Sequence, residues 1–507
     1  MPTSLKTSIL QSLFLNASDF TLMKIAIAYP PLPSEKGVPL LGQNRQFQWF
    51  NRPTFIYPVV PALAATQAKQ AGHDVAWLDG IASEWTPDQF NDKLAVFNPD
   101  VLMLETKTPV IKRHWQIIKD FKASFPTMRV VIVGDHVTAF PEETLANCPV
   151  DYILTGGDYD FLLVNLLAHL ASPSSVPLEP GIYGREADGT VKNTGTFKLD
   201  HDLKTLPWID RELTQWKLYA DKNGNYSRIP GTYIMSGRDC WHGKCTFCSW
   251  TTLYPTFRTR DAKEVVDEIE HLVKRYGVRE IMDDTGCLPA GAWLKTFCNE
   301  LIARKLNKQV KIDCNMRFGA LDDELCRLMK KAGFRLVLFG LESANQSTLD
   351  RLIKAVKVEQ IEAGAKAAAQ AGLAVHVTVM FGYPWEGELE IEKTVCFARH
   401  LLRKGYAYTL QVTMVIPYPG TPLFKELEAN NQLLTRDWDD YDMRTQVMQS
   451  GVSEERIKTA IRDVYRGFLH PETIFRRLIS MRNPVEDIKF FWRGFRSILG
   501  HLRDFKG

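Results

Sequence analysis

Cysteine is scarce in this chain: nine in 507 residues, an odd number, scattered except at one place. That is too thin for a disulfide framework, and free thiols fit a reducing cytoplasm. An excess of one charge is also missing. Lys and Arg number 62 against 59 Asp and Glu, and the net charge of +3 gives no case for nucleic-acid binding through bulk electrostatics. No apolar run is long enough to span a bilayer. Residues 1–20 lack the charged start, long apolar stretch and small-residue cleavage site of a signal peptide. What remains, at 45% hydrophobic and 24% charged, is the composition expected of a soluble globular protein. The chain is too long for one ordinary core, so two or three domains are expected.

The exception to the cysteine scarcity is Cys240-Trp241-His242-Gly243-Lys244-Cys245-Thr246-Phe247-Cys248. No packed core needs three thiols so close together. A short loop of soft thiolates suits a four-iron cluster, holding three irons and leaving the fourth open to a substrate. Two other readings use the same loop. Zinc would want a fourth ligand; His242 lies inside the loop, but there is no second Cys-x-x-Cys. C-x4-C-x2-C is also the spacing of two-iron plant-type ferredoxins, with a distant fourth cysteine to be found among Cys148, Cys287, Cys298, Cys314, Cys326 and Cys396. Against that reading, the loop opens a long α/β region rather than sitting in a small carrier.

Apolar runs at 24–29, 74–78, 101–104, 129–133 and 151–154 alternate with helical patterns at 58–71, 86–97, 110–125, 141–147 and 158–170. Unbroken apolar strands alternating with helices predict a doubly wound parallel sheet, with ligands at the carboxyl ends of the strands. Those ends carry Thr106, Gly134, Asp135, His136, Thr138, Gly156 and Gly157, and the glycines would let a bulky ligand approach the backbone. The amide- and aromatic-rich segment 42–50 lacks either regular period and reads as a long functional loop or flap, or else as a surface connection. Residues 171–229 read as a Pro-, Gly- and Asp-rich linker with a small β patch at 181–198.

A second series then begins, with strands expected at 232–236, 279–282, 310–316, 335–341, 374–380 and 409–416. The clearest helices, 261–276, 321–332 and 358–371, stop at Gly277, Gly333 and Gly372. Six such units make a partial barrel whose active site lies at the carboxyl ends of its strands. The cysteine loop follows the first strand directly, so it lands at that mouth. Asp283, Asp284, Thr285, Asn315, Arg317, Glu342, Ser343, Gly382 and 417–420 fall on the same rim. Such a ring suits a ligand with an amino-acid head, a ribose and a base. The expected division is an extension at 1–22, domains at 23–171 and 230–425, a linker at 172–229 and a helical region at 426–507. The final stretch 490–503 mixes bulky apolar residues with Arg. It is read first as a helix docked on the barrel and second as one lying on a membrane surface.

From about residue 24 to 425 the chain resembles the cobalamin-binding branch of the radical S-adenosylmethionine (SAM) superfamily. The resemblance rests on the three cysteines with Phe247 before the last, on 282–285, on Gly340-Leu341-Glu342-Ser343, on Gly382 and on 417–421. In the first domain it rests on 134–138 followed by Pro141-Glu142-Glu143, and on Gly156-Gly157-Asp158. It implies an α/β protein: a Rossmann-like doubly wound parallel sheet, then a (β/α)6 partial TIM barrel, then a helical C-terminal tail. It further implies a [4Fe-4S] cluster on Cys240, Cys245 and Cys248, and SAM on Asp284, Arg317, Glu342, Ser343 and Gly382. Cobalamin is implied on Thr106, Gly134, Asp135, His136, Thr138, Gly156 and Gly157, facing the barrel mouth, with 42–50 helping to seal the gap. Two departures stand out. The family spacing is C-x3-C-x2-C, and this chain has four residues in the first gap. The Asp-x-His-x-x-Gly motif is absent, so cobalamin is expected to bind with its own base displaced and no protein histidine on cobalt.

The implied activity is C-methylation of an unactivated carbon of a lipid or secondary metabolite. The alternative is a cobalamin-dependent oxidative cyclase or rearrangement without methyl transfer. A corrinoid- or redox-sensing protein without turnover is the reading from another class. The expected partners are a small-molecule or lipid substrate and an electron donor such as ferredoxin or flavodoxin, with no nucleic acid. Peripheral membrane contact would run through the C-terminal helix of a cytoplasmic protein.

Overall fold

The computed structural model describes residues 22–41, 47–186 and 188–480. The expected extension, up to residue 21, and the stretch 490–503 lie outside the described residues. The chain forms two compact units. One contains residues up to Leu32, Pro58–Thr106 and Arg113–Trp216; the other contains Pro33–Tyr57, Lys107–Lys112 and the chain from Lys217 onward.

The first unit is built on β1 (Lys24–Tyr29), β2 (Asp74–Asp79), β3 (Val101–Thr106), β4 (Arg129–Gly134) and β5 (Tyr152–Leu154), parallel and in the order 2-1-3-4-5. β3 is buried along its whole length and β1 beyond its first residue, as strands covered on both faces must be. One of the flanking helices starts on a cap that the sequence offers. Pro87–Phe97 opens on Thr86, whose hydroxyl accepts from the Gln89 amide at 3.2 Å while Gln89 reciprocates at 2.9 Å. The β patch of the expected linker belongs to this sheet. β6 (Ile182–Arg185) pairs antiparallel with β5, and β7 (Val191–Asn193) pairs with β6. The linker reading fails there because turn-rich composition marks where a chain bends, not which sheet edge it returns to.

The second unit carries β8 (Gly231–Ile234), β9 (Glu280–Asp283), β10 (Lys311–Met316), β11 (Phe334–Glu342), β12 (Ala374–Phe381) and β13 (Thr409–Met414). All are parallel and in strictly sequential order, the order of a barrel left open after six strands. Helix Ala262–Tyr276 shows how each crossover is specified. Asp261 caps it by accepting from the Lys263 and Glu264 amides, Val265, Val266, Ile269 and Leu272 are buried, and Gly277 ends it at φ 66°. One face of the sheet is sealed by such helices: Val337, Phe339 and Leu341 of β11 are buried. Leu336, Leu338 and Gly340, pointing the other way, are half-buried.

Helix Glu454–Arg466 buries Ile457, Ala460, Ile461 and Val464, and the Tyr465 hydroxyl accepts from the Val412 amide of β13 at 3.2 Å. The described part of the expected flap differs from a mobile surface loop. Trp49–Phe50 pairs antiparallel with Val38–Pro39, and Phe47 and Trp49 are buried. A two-residue ribbon is too short to show a period, yet it fixes two aromatic rings in a core. Residues 42–46 of that segment lie outside the described residues. Among the described residues no helix is long and apolar enough to cross a membrane.

Candidate functional site

The cysteine loop leaves β8 at its carboxyl end, and buried polar groups set its departure. The Asp283 carboxylate at the end of β9 accepts from the Ser236 hydroxyl and amide and from the Thr285 hydroxyl at 2.6 Å. Thr285 in turn accepts from the Ser236 and Gly237 amides at 2.9 and 3.0 Å. Burial pushes the Asp283 carboxyl up, and these donors pull it back. Asp239 then accepts from the Gly286 amide at 2.5 Å. Asp283 and Thr285 thus brace the loop rather than face a ligand, while Asp284 lies beside them, 8% exposed.

Cys240, Cys245 and Cys248 are all half-buried, and none is in a disulfide. A hydrogen bond from the Cys287 thiol, opposed by burial, draws Cys240 down to about 6, so its thiolate forms readily. Burial pushes Cys245 up and holds Cys287 well above the ordinary thiol value, which suits Cys287 as a donor to the loop rather than as a ligand. Of the six distant cysteines, Cys287 is the one bridged to Cys240. Among the described residues no group of His, Cys, Asp or Glu side chains converges tightly enough to hold a metal ion. A four-iron cluster takes one thiolate per iron, so its ligands stand apart around the cube. Three thiols spaced along a half-buried loop, one already acidic, fit that need.

The far rim is organised by an ion pair that the sequence did not announce. Lys354 Nζ lies 2.6 Å from Glu342 Oε1, both side chains being buried. Burial alone would lower the ammonium, but Glu342 and Cys245 hold it above the ordinary lysine value. Glu342 sits at φ 65°, a backbone state rare outside glycine and asparagine. The missing side chain of Gly340 makes room, since a Cβ there would lie 2.0 Å from Glu342 Oε1. Lys354 also stands 5.8 Å from the Phe247 ring centroid. Phe247 packs against the apolar cluster of Leu352, Met380, Tyr383 and Leu423.

Three rim residues also make contacts within the protein. Ser343 donates its hydroxyl to the buried Glu386 carboxylate at 2.6 Å, alongside Thr348 at 2.7 Å, so it braces the fold behind Glu342. Arg317 does not face an open carboxylate site: it donates to the Lys354 and Ala355 carbonyls and stacks 5.2 Å from the Trp241 ring. Gly382, at φ 103°, turns the side where a Cβ would stand toward Ile457 of helix Glu454–Arg466, 3.0 Å away. In each case a neighbour remote in sequence claims the group.

In the first unit, Gly134 ends β4 at φ 130° and ψ −177°, and a Cβ there would lie 2.1 Å from the Thr106 carbonyl. The Thr106 hydroxyl is hydrogen-bonded to His114 Nδ1 at 2.8 Å. Asp135 accepts from the His136 amide at 2.7 Å, and Thr138 ties Gly134 to the Gly156 amide through bonds of 2.7 and 3.0 Å. The His136 ring is fully buried between Trp115 and Phe140, with Nε2 3.1 Å from Glu143. Gly156 and Gly157 are buried, and Gly156 is covered rather than bare: a Cβ on it would meet the Phe197 ring at 2.4 Å. Nearby, His201 bridges Asp158 at 3.0 Å and Glu179 at 2.9 Å and stacks 4.3 Å from Phe161. Phe197 and His201 come from the expected linker, where only an aromatic and a histidine in a polar run could have hinted at them.

Residues 234–398, which begin at the end of the first of the six sequential parallel strands and include the cysteine loop, match the family model of the Radical SAM superfamily. Over 413 residues the chain is 27% identical to an uncharacterized methyltransferase of Pyrococcus horikoshii, covering 80% of this chain and 87% of that one. It is 25% identical over 453 residues to the anaerobic magnesium-protoporphyrin IX monomethyl ester cyclase of Cereibacter sphaeroides, covering 86% and 69%. Among solved structures, the cobalamin-dependent SAM radical enzyme OxsB superposes with a TM-score of 0.69 at 14% identity, covering 95% of this chain and 72% of that one. The methyltransferase TsrM of Kitasatospora setae superposes with a TM-score of 0.66 at 15% identity, covering 88% and 89%. The fold is therefore that of cobalamin-dependent radical SAM enzymes in both units.

Proposed function

We propose that this protein is a radical SAM enzyme that binds a [4Fe-4S] cluster, SAM and cobalamin, and methylates an unactivated carbon of a lipid or secondary metabolite. The observation that carries the reading is the three-thiol loop braced at the mouth of a six-stranded β/α sheet. Cys240, Cys245 and Cys248 would hold the cluster. Together these groups supply one-electron cleavage of SAM, hydrogen abstraction by the resulting nucleoside radical and delivery of a methyl group from cobalt. The protein's own part is placement. Asp283 and Thr285 fix the start of the loop, and Glu342 with Lys354 presents a charged pair beside Cys245. Thr378 of β12 is buried and donates its hydroxyl to the Glu342 carboxylate at 3.4 Å, a further hold on that pair. Gly134 and the Thr138 bridge shape the strand ends of the first unit for a bulky ligand. The commitment of His136 to Glu143 supports cobalamin bound with no protein histidine on cobalt. An electron paramagnetic resonance spectrum of the Co(II) form with nitrogen superhyperfine splitting would oppose that.

Methyltransferase relatives favour methyl transfer, and the cyclase relatives favour the second reading, oxidative cyclisation without it. Anaerobic reconstitution with iron, sulfide and hydroxocobalamin separates them. S-adenosylhomocysteine formed together with 5′-deoxyadenosine supports methylation, and 5′-deoxyadenosine alone supports cyclisation. A loaded protein that forms neither product when given dithionite and extract of a deletion strain would overturn both. We read the physiological reductant as a ferredoxin or flavodoxin and the location as cytoplasmic. Membrane contact through the C-terminal segment is tested by vesicle flotation with and without residues 485–507.

A further inference from the structure

The four residues in the long first gap of the cysteine loop are not slack. Trp241 donates from its indole nitrogen to the Leu288 carbonyl at 3.2 Å, and its ring carries the Arg317 guanidinium. His242 Nε2 lies 2.6 Å from the Ile353 carbonyl. A carbonyl can only accept, so Nε2 carries the proton. Gly243 turns the chain at φ 57°, where a Cβ would come within 3.2 Å of the Cys240 carbonyl. Further on, the Thr246 amide donates to the Leu352 carbonyl at 3.1 Å. Arg317, arriving from the end of β10, donates to the carbonyls of Lys354 and Ala355, the latter at 2.9 Å.

Four consecutive carbonyls, 352 to 355, therefore all receive donors from the cysteine loop or from the arginine stacked on it. That segment follows directly on helix Gln346–Arg351. Ile353 and Ala355 stand at φ 51° and 50°, in the left-handed region that a β-branched residue almost never enters. Ile353 does so while 48% exposed, so no packing of its own side chain explains the conformation. Leu352 before them is right-handed, at φ −74° and ψ −3°. Ile353 holds that state as the cap of helix Gln346–Arg351: its amide donates to the Asp350 carbonyl at 3.0 Å and the Lys354 amide donates to the Leu349 carbonyl at 2.9 Å, which leaves the carbonyls of 352–355 to the loop and Arg317.

We propose that 352–355 is a carbonyl socket that holds the cysteine loop in its cluster-binding shape, with His242 and Arg317 as the positioning residues that clip the loop into it. The proposal rests on the cluster reading above. It explains how a first gap of four residues is accommodated: the extra length is pinned on two sides, by Trp241 on the Leu288 carbonyl and by His242 on the Ile353 carbonyl.

The test uses the full chain, reconstituted anaerobically with iron and sulfide. It reads iron and sulfide bound per chain, the rate of iron loss to a ferrous chelator, and the electron paramagnetic resonance line shape of the dithionite-reduced cluster. H242A and R317A should each lose iron at least tenfold faster than the parent and show a broadened signal. H242Q, whose side-chain amide can still donate to the Ile353 carbonyl, should restore most of the retention. Thermal melting of the metal-free H242A protein should match the parent, which separates a clip from a general fold defect. Parent-like iron retention in both alanine variants would overturn the socket, as would an equal loss in H242Q. A parent protein that takes up no cluster would instead overturn the functional reading itself.

Discussion

Replacing Gly134 by alanine tests how the first unit prepares its strand ends. At φ 130° and ψ −177° this residue lies in a region that essentially only glycine enters. Holding alanine there costs on the order of 1–3 kcal/mol. The added Cβ would also stand 2.1 Å from the Thr106 carbonyl oxygen, a backbone atom in the paired neighbouring strand β3. The obstacle is not the end of a flexible side chain, so β3 or β4 must shift, and overpacking of that kind costs roughly 1–3 kcal/mol more. The sum is about 2–6 kcal/mol, confined to the first unit. For a domain of this size 1 kcal/mol moves a melting temperature by about 2–4 °C, so G134A should lower the first unit's transition by roughly 5–20 °C. Differential scanning calorimetry of the apo chain resolves this if the two units melt separately. Hydrogen exchange localised to β3 and β4 does so if they do not. The same displacement should weaken cobalamin uptake, read by visible absorbance. A G134A protein whose first unit melts within 2 °C of the parent would refute the reasoning.

Three further outcomes are expected. His201 is shifted up to about 9: burial would lower it, but hydrogen bonds to Asp158 and Glu179 raise it. A group raised in the folded state stabilises fully below its unfolded value near 6.5 and loses that effect as pH rises through 9. The shift corresponds to roughly 3 kcal/mol, and solvent screening of the partly exposed ring leaves about 1–2. The first unit should therefore melt earlier at pH 10 than at pH 6.5, and H201A should flatten that dependence; equal slopes would refute it. G340A pushes a methyl into the Glu342–Lys354 pair and should weaken SAM binding to the reconstituted protein at least tenfold, about 1.4 kcal/mol, by equilibrium dialysis. I353G relieves a left-handed β-branched residue worth about 1–2 kcal/mol, offset by about 0.5–1 of added unfolded-chain entropy. It should leave iron retention unchanged and raise stability by up to about 1 kcal/mol in urea titration.

What could be read from the chain followed from what is local. β1 and helix Pro141–Asn147 fall where the apolar run and the Pro141 start place them, because strand burial and helix capping are written within a few residues. The cysteine loop and its place after the first barrel strand were legible for the same reason. Lys354 was not: its meaning comes from Glu342, twelve positions back across a turn, and from the empty side of Gly340. Ser343 and Arg317 looked like ligand contacts because a polar residue at a strand end has no visible competitor in the sequence. In the fold, Ser343 also bonds Glu386, and Arg317 also bonds the 354–355 carbonyls. Phe197 over Gly156 was hidden because a return crossing onto a sheet edge leaves no mark on the residues it will cover.

The two sheets also differ in how they can be assembled during synthesis. In the first, β1 is translated before its neighbours yet ends at an interior position between β2 and β3, so it must wait for partners on both sides. In the second, growth proceeds outward along a single advancing border, whereas the first adds strands on both sides of β1. A ribosome would thus release the later sheet almost ready-made, while the opening strand of the earlier one spends the longest time exposed and depends most on rapid collapse around it.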